Sequence, residues 1–223
     1  MQSNRKSIIA YVSIIFSMIF WGISFVWTKE LLNANFPVFL ILTIRLAIAS
    51  LLMFSVFKLM GKLERIEKTD LPKFFLLALF EPFLYFIGEN FSMHFVDASF
   101  AAIMIALLPI VNPIALHIFN KDKIGWNLLF GAVISVIGIM IMSINPEGEI
   151  KISWQGTLLL LLAVFAGSGY SVILSRLINK YNPITITTTQ NIVGILYFLP
   201  CLLIFDLDKI SSVVWTKDAI LSL

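Results

Sequence analysis

Charge is scarce in this sequence and cysteine nearly absent. Asp, Glu, Lys and Arg make up 13% of the 223 residues, against 59% hydrophobic residues. A soluble domain of this length has too much surface for so few polar side chains to cover. The composition therefore excludes a water-soluble globular protein and calls for lipid as the solvent. The single cysteine, Cys201, excludes an intrachain disulfide and any CxxC metal or redox motif. The basic residues form no aromatic-interleaved patch, so nucleic acid is not an expected partner. No cofactor or metal ion is expected either.

What the sequence does have is long apolar runs. A spanning helix needs roughly 20 such residues at about 1.5 Å each. Seven segments qualify: Ile8–Trp27, Phe36–Phe57, Phe74–Phe95, Ala98–Phe119, Ile124–Ile144, Trp154–Ser175 and Ile184–Phe205. They are too long and too uniformly apolar for the alternating strands of an outer-membrane barrel. The expected fold is thus an all-α, polytopic membrane helix bundle. Arg5 and Lys6 precede the first run as in a signal peptide, but the run continues uncharged to Trp27 without a small-x-small cleavage site. It reads as a retained span.

Loop charge predicts orientation. With the N-terminus cytoplasmic, the inner loops hold eleven Lys and Arg and the outer loops four, Lys29, Lys151, Lys209 and Lys217. Tight outer turns are expected at Asn33–Pro37 and Val96–Ser99. Asn145-Pro146-Glu147-Gly148 is the strongest turn signal and the best boundary between two halves, 1–146 and 147–223.

The halves show weak internal likeness. Phe20-Trp21-Gly22-Ile23-Ser24-Phe25 aligns with Phe165-Ala166-Gly167-Ser168-Gly169-Tyr170, and each is followed by a span-opening proline, Pro37 and Pro183. A repeat of five spans is necessarily inverted, an arrangement found in transporters with substrate held near the midplane. The second half has two spans, and Ala219–Leu223 begins an eighth. A five-plus-five protein would continue for about 70 to 80 residues, three spans plus loops, so the sequence is expected to be a piece of a longer chain.

Ionisable groups inside spans are costly unless paired or wetted, and so mark function. Arg45 lies eight residues past Pro37, about 12 Å from the outer face, and Glu89 lies at a similar depth before Val96. The two are expected to approach, as a cavity pair that binds a zwitterion or relays a proton, or as a structural ion pair. Glu81, Tyr85 and Glu89 fall at i, i+4 and i+8 along one stripe. Pro82 predicts a kink, or else a helix start. Thr187, Gln190 and Asn191 belong to a polar run opening the last span, which suits uncharged or zwitterionic groups and equally suits helix–helix adhesion. The five tryptophans read mostly as anchors near span ends.

The order and spacing of several motifs resemble the drug/metabolite transporter superfamily, in its EamA-type branch. These are Phe20-Trp21-Gly22 with Ser24-Phe25, Pro37 followed by Arg45, and Ala101-Ala102 through Leu107-Leu108-Pro109. Gly125, Gly131 and Gly138-Ile139 follow, then Gly156, Gly167, Tyr170 and Arg176. The resemblance covers nearly the whole chain. It implies ten helices in two inverted five-helix repeats, cytoplasmic termini and a central cavity. It also implies alternating access for amino acids, metabolites or drugs, at a multi-pass site in the cytoplasmic membrane. The expected function is secondary transport of a small molecule, with proton coupling an option, and no enzymatic activity. A channel or membrane scaffold is the main alternative. An intramembrane serine hydrolase is disfavoured, because His94 and His117 lie at opposite faces, away from Ser168 and Ser171. A retinal-type sensor lacks its lysine in span seven.

Overall fold

The computed structural model describes residues 2–121, isolated positions between 125 and 141, and 153–223. The expected fifth span, Ile124–Ile144, and the Asn145–Gly148 turn lie largely or wholly outside the described residues. Among the described residues every regular element is helical. Six helical segments are long and apolar enough to cross a membrane: Tyr11–Asn33, Val38–Leu59, Lys68–Ser92, Ala98–Asn120, Trp154–Leu177 and Pro183–Ile210.

The first crossing is one helix, α1 (Gln2–Asn33), and the second is α2 (Val38–Leu59). Between them Asn35 takes φ 60°, a left-handed conformation that asparagine tolerates. Pro37 then sits just ahead of α2 in an extended conformation, where its missing N–H costs nothing. Gly61 supplies the left-handed residue after α2.

The third crossing is interrupted. It consists of α3 (Leu71–Ala78), a wide turn over Leu79–Leu84, and α4 (Tyr85–Ser92). Glu81 leaves helical geometry altogether, with φ −143° and ψ 121°, immediately before Pro82. The proline is therefore a mid-span break, not a helix start. The fourth crossing is also divided, into α5 (Ala98–Ile105) and α6 (Leu108–Asn120), with Pro109 in the first turn of α6. The next described helix is α7 (Trp154–Leu177), with Ser153 Oγ accepting from Gly156 N at its start. Then come α8 (Pro183–Cys201), opened by Asn182, and the short α9 (Leu207–Ile210) and α10 (Lys217–Ser222).

Glycines set the closest approaches. A β-carbon on Gly88 of α4 would stand 2.4 Å from the carbonyl oxygen of Leu159 in α7. At Gly169 of α7 it would meet the Phe80 ring at 2.6 Å, and at Gly194 of α8 it would meet Pro82 Cγ at 2.5 Å. The interrupted crossing is thus seated in notches on α7 and α8, the close approach that small residues permit when lipid removes the hydrophobic drive for association. Polar contacts join α6 to α7: Ser168 Oγ lies 3.0 Å from Asn112 Oδ1, and Asn120 Nδ2 donates to Ser175 Oγ at 2.8 Å.

Apolar burial divides in two. A large cluster runs through α1, α2, α4, α5, α7 and α8. A separate small one, Phe74, Leu77, Leu177, Tyr181 and Ile186, closes one end of the bundle. Outward faces are apolar, and every side chain from Tyr11 to Phe20 is exposed, as expected where lipid is the neighbour. All four ion pairs among the described residues lie near helix ends.

Candidate functional site

A cavity of about 530 Å³ opens among α1, α2, the interrupted third crossing, α8 and the C-terminal residues. Trp21, Ser24 and Trp27 line it from α1, and Leu42, Arg45, Leu46 and Ala49 from α2. Glu81 projects from the break, Tyr85, Phe86, Glu89 and Asn90 from α4, and Asn191 from α8. Leu221 and Leu223 also line it. The volume suits a small molecule, since such sites span about 300 to 1,000 Å³.

Five of the seven residues anticipated from sequence meet here: Arg45, Glu81, Tyr85, Glu89 and Asn191. Gln190 is buried beside the cavity and accepts from Tyr170 Oη at 3.1 Å. Thr187 is half-buried and is not a lining residue. It lies one turn nearer the sealed end than Asn191, beside Ile186 of the small apolar cluster.

Arg45 and Glu89 share the cavity but form no ion pair. The guanidinium instead donates from Nη1 to Thr28 Oγ1 at 2.7 Å, from Nη2 to the Ser222 carbonyl at 2.7 Å, and from Nε to the Leu223 carbonyl at 3.2 Å. Equal depth brings both residues to one cavity, as expected, but not into the ion-pair alternative. Depth fixes position along the membrane normal but not where a flexible side chain aims its donors.

Glu89 is 6% exposed and its Oε2 has no hydrogen-bond partner. Tyr85 Oη and Asn90 Oδ1 likewise lack a partner in good hydrogen-bond geometry, although Tyr85 Oη faces Glu89 and Trp21 and Asn90 Nδ2 donates to the Phe86 carbonyl at 2.9 Å. Buried polar atoms are usually satisfied, so three orphans on one helix are an unusual concentration. Two are acceptors and the third is a hydroxyl, a combination suited to a ligand carrying N–H or O–H donors. On α8, Asn191 has only a long contact from Nδ2 to Met53 Sδ, 3.8 Å.

Sequence reasoning missed three contributors. Trp21 and Trp27 line the cavity instead of serving only as interfacial anchors, and their hydropathy alone does not separate the two roles. Asn90 adjoins Glu89 and carries the same signal, a strongly polar side chain within an apolar run.

Residues 8–144 match the EamA-like transporter family. An uncharacterized transporter of Archaeoglobus fulgidus is 29% identical over 211 residues, covering 92% of this chain and 74% of that protein. The uncharacterized transporter YdfC of Bacillus subtilis is 29% identical over 183 residues, covering 81% of this chain and 59% of its own length. YetK of the same organism, also an uncharacterized transporter, is 25% identical over 225 residues, with 97% of this chain and 66% of YetK covered. The chain therefore spans between about three fifths and three quarters of these relatives. No solved structure matches it. With that match laid over an all-helical fold of membrane-length segments, the chain belongs to the EamA-like transporter family, a family of membrane transporters.

Proposed function

We propose that this protein is a secondary transporter that moves a small polar metabolite or drug across the cytoplasmic membrane by alternating access. The observation that carries the reading is a cavity within membrane-length helices lined by Arg45, Glu81, Glu89 and Asn191, where Glu89, Tyr85 and Asn90 hold buried polar atoms without a partner in good hydrogen-bond geometry. A scaffold would be expected to pack or satisfy such groups. Arg45 supplies positive potential for an acidic group on the substrate. Glu89 and Glu81 accept an amine or a proton, which is the basis for proton coupling. Trp21 and Trp27 offer aromatic faces to the rest of the molecule.

The topology we infer has seven spans and a cytoplasmic N-terminus. Asn120 touches Ser175 near one end of α7, while a β-carbon on Gly156 would touch Val96 near the other. Lys121 and Ser153 thus stand at opposite ends of the bundle, as a further span over the apolar run Ile124–Ile144 would require. The arrangement is compatible with two inverted repeats divided near residue 146.

Reconstitution in proteoliposomes tests the function. Net flux or counterflow of small zwitterions and amines, driven by a pH gradient, is the expected result. Flux unchanged by both Arg45→Ala and Glu89→Gln would remove these residues from the site.

A further inference from the structure

The end of the bundle away from the cavity is sealed in two layers. The outer layer is polar and joins the loop 60–70, from the first half of the chain, to the α7–α8 turn, from the second. Asp70 is at its centre, with its side chain 4% exposed. Its Oδ2 accepts from Lys180 Nζ at 2.6 Å and Tyr181 Oη at 2.8 Å, and its Oδ1 accepts from Lys73 Nζ at 2.7 Å. Lys180 also reaches Glu67 Oε2 at 2.6 Å. Around this centre, Glu64 Oε2 accepts from Asn182 N at 2.6 Å, Glu64 N donates to Thr185 Oγ1 at 2.9 Å, and Glu67 N donates to Tyr181 Oη at 3.1 Å. The hydrogen bonds to Asp70, and then Glu67, raise the Lys180 ammonium above the ordinary lysine range, so the cation is held at any physiological pH.

The inner layer is the small apolar cluster. Phe74 meets Tyr181 edge to face at 5.5 Å, and Leu77, Leu177 and Ile186 fill the remainder. Both layers and the cavity floor follow in order along the same two elements. On the third crossing the order is Asp70, then Phe74 and Leu77, then Glu81. On the other side it is Tyr181, then Ile186, then Asn191. The apolar cluster thus stands between the cavity and the clasped end.

We propose that this clasp, centred on Asp70, Lys180 and Tyr181, is the gate that holds one face of the transporter shut while the cavity is accessible from the other. The proposal rests on the alternating-access reading above. The geometry fits a part that must open and reclose. The clasp links the two halves and no helix backbone crosses it. Its partners Lys180 and Glu67 are 43% and 61% exposed, so water can replace their contacts when they separate. The interruption at Leu79–Leu84 lies directly behind the apolar layer. It allows α3 to move while α4 stays seated against α7 at Gly88.

Thiol accessibility in sealed vesicles of both orientations tests the gate without a known substrate. The full chain carries Cys201→Ser and one reporter, either Leu77→Cys in the apolar layer or Ala49→Cys in the cavity wall, and is probed with a membrane-impermeant maleimide. In the parent, the Leu77 reporter is expected to react slowly from the clasped side and the Ala49 reporter quickly from the other. Adding Asp70→Asn with Lys180→Gln is expected to speed the first reaction by about ten-fold or more and to slow the second, a population shift of one equilibrium. Tyr181→Phe, which removes one donor at nearly constant volume, is expected to act in the same direction by about two-fold to five-fold, and it serves if the double variant fails to fold. Unchanged reactivity at Leu77 overturns the gate. So does a parallel rise at both reporters, which is what simple destabilisation would give. Flux in proteoliposomes with indifferent labelling would sink the gate alone. Reciprocal labelling with no flux of any tested solute would leave the gate and sink the transport assignment.

Discussion

Glu89 Oε2 has no donor in good hydrogen-bond geometry, in a helix that meets neighbouring helices and lipid, and the proposed role for it is to take a proton or a donor group of the substrate. Glu89→Gln keeps the shape and removes the charge, so flux in proteoliposomes is expected to fall by at least about ten-fold, with helicity and detergent stability retained. Arg45→Ala is expected to behave differently. It abolishes flux and also leaves buried Thr28 without its 2.7 Å partner, a loss of about 1 to 3 kcal/mol that a thermal melt in detergent would register. At this scale sequence legibility was good where hydrocarbon makes polarity expensive. Arg45, Glu81, Tyr85, Glu89 and Asn191 stand out as polar side chains within apolar runs, and all five line the cavity. Trp21 and Trp27 do not stand out, since hydropathy does not separate an aromatic ring that lines a cavity from one that faces lipid or the interface. Nor does Asp70, which lies in a charged loop whose partner turn is more than a hundred residues away in the chain.

The third crossing shows what periodicity can and cannot carry. The i, i+4, i+8 spacing predicts one regular stripe for Glu81, Tyr85 and Glu89, and Pro82 predicts a bend. All three line the cavity, yet the helix is broken between the first and the second. The stripe survives the break because Phe80 and Pro82 are pinned against Gly169 and Gly194, which fixes how the wide turn faces its neighbours. Those notches are tertiary facts, and a glycine in an apolar run does not declare which helix it meets. A substitution pair checks the fit. Gly88→Ala would place a methyl 2.4 Å from a backbone oxygen that cannot step aside. It is expected to cost about 1 to 3 kcal/mol and lower the melting midpoint in detergent. Gly22→Ala, with nothing within 4 Å of the added carbon, is expected to leave the midpoint unchanged or slightly raised.

For the molecule as a whole, helical class and six of the seven expected spans follow from run length, because a bilayer fixes the length of whatever crosses it. How the rods assemble does not follow, because apolar side chains facing lipid and facing one another look alike. The contact between loop 60–70 and the α7–α8 turn supplies what hydropathy lacks, placing those two connections on one face. Single cysteines at Lys62 and Lys121 are therefore expected to label from the same side of sealed vesicles, and cysteines at Asn35 and His94 from the opposite side. The positive-inside bias predicts that the first pair labels from the cytoplasmic side. Labelling of Lys62 and Asn35 from one side would refute the topology.

The wide turn behind the apolar layer also has a mechanical meaning. Asp70 lies eleven residues from Glu81, an arm of about 16 Å at helical rise, and a tilt of about 10° at the turn would sweep its tip through about 3 Å. That sweep exceeds the reach of bonds now 2.6 to 2.8 Å long. Glu81 sits at the fulcrum itself. If cargo binds that carboxylate as proposed, a slight shift there is expected to work a latch at the far end of the lever.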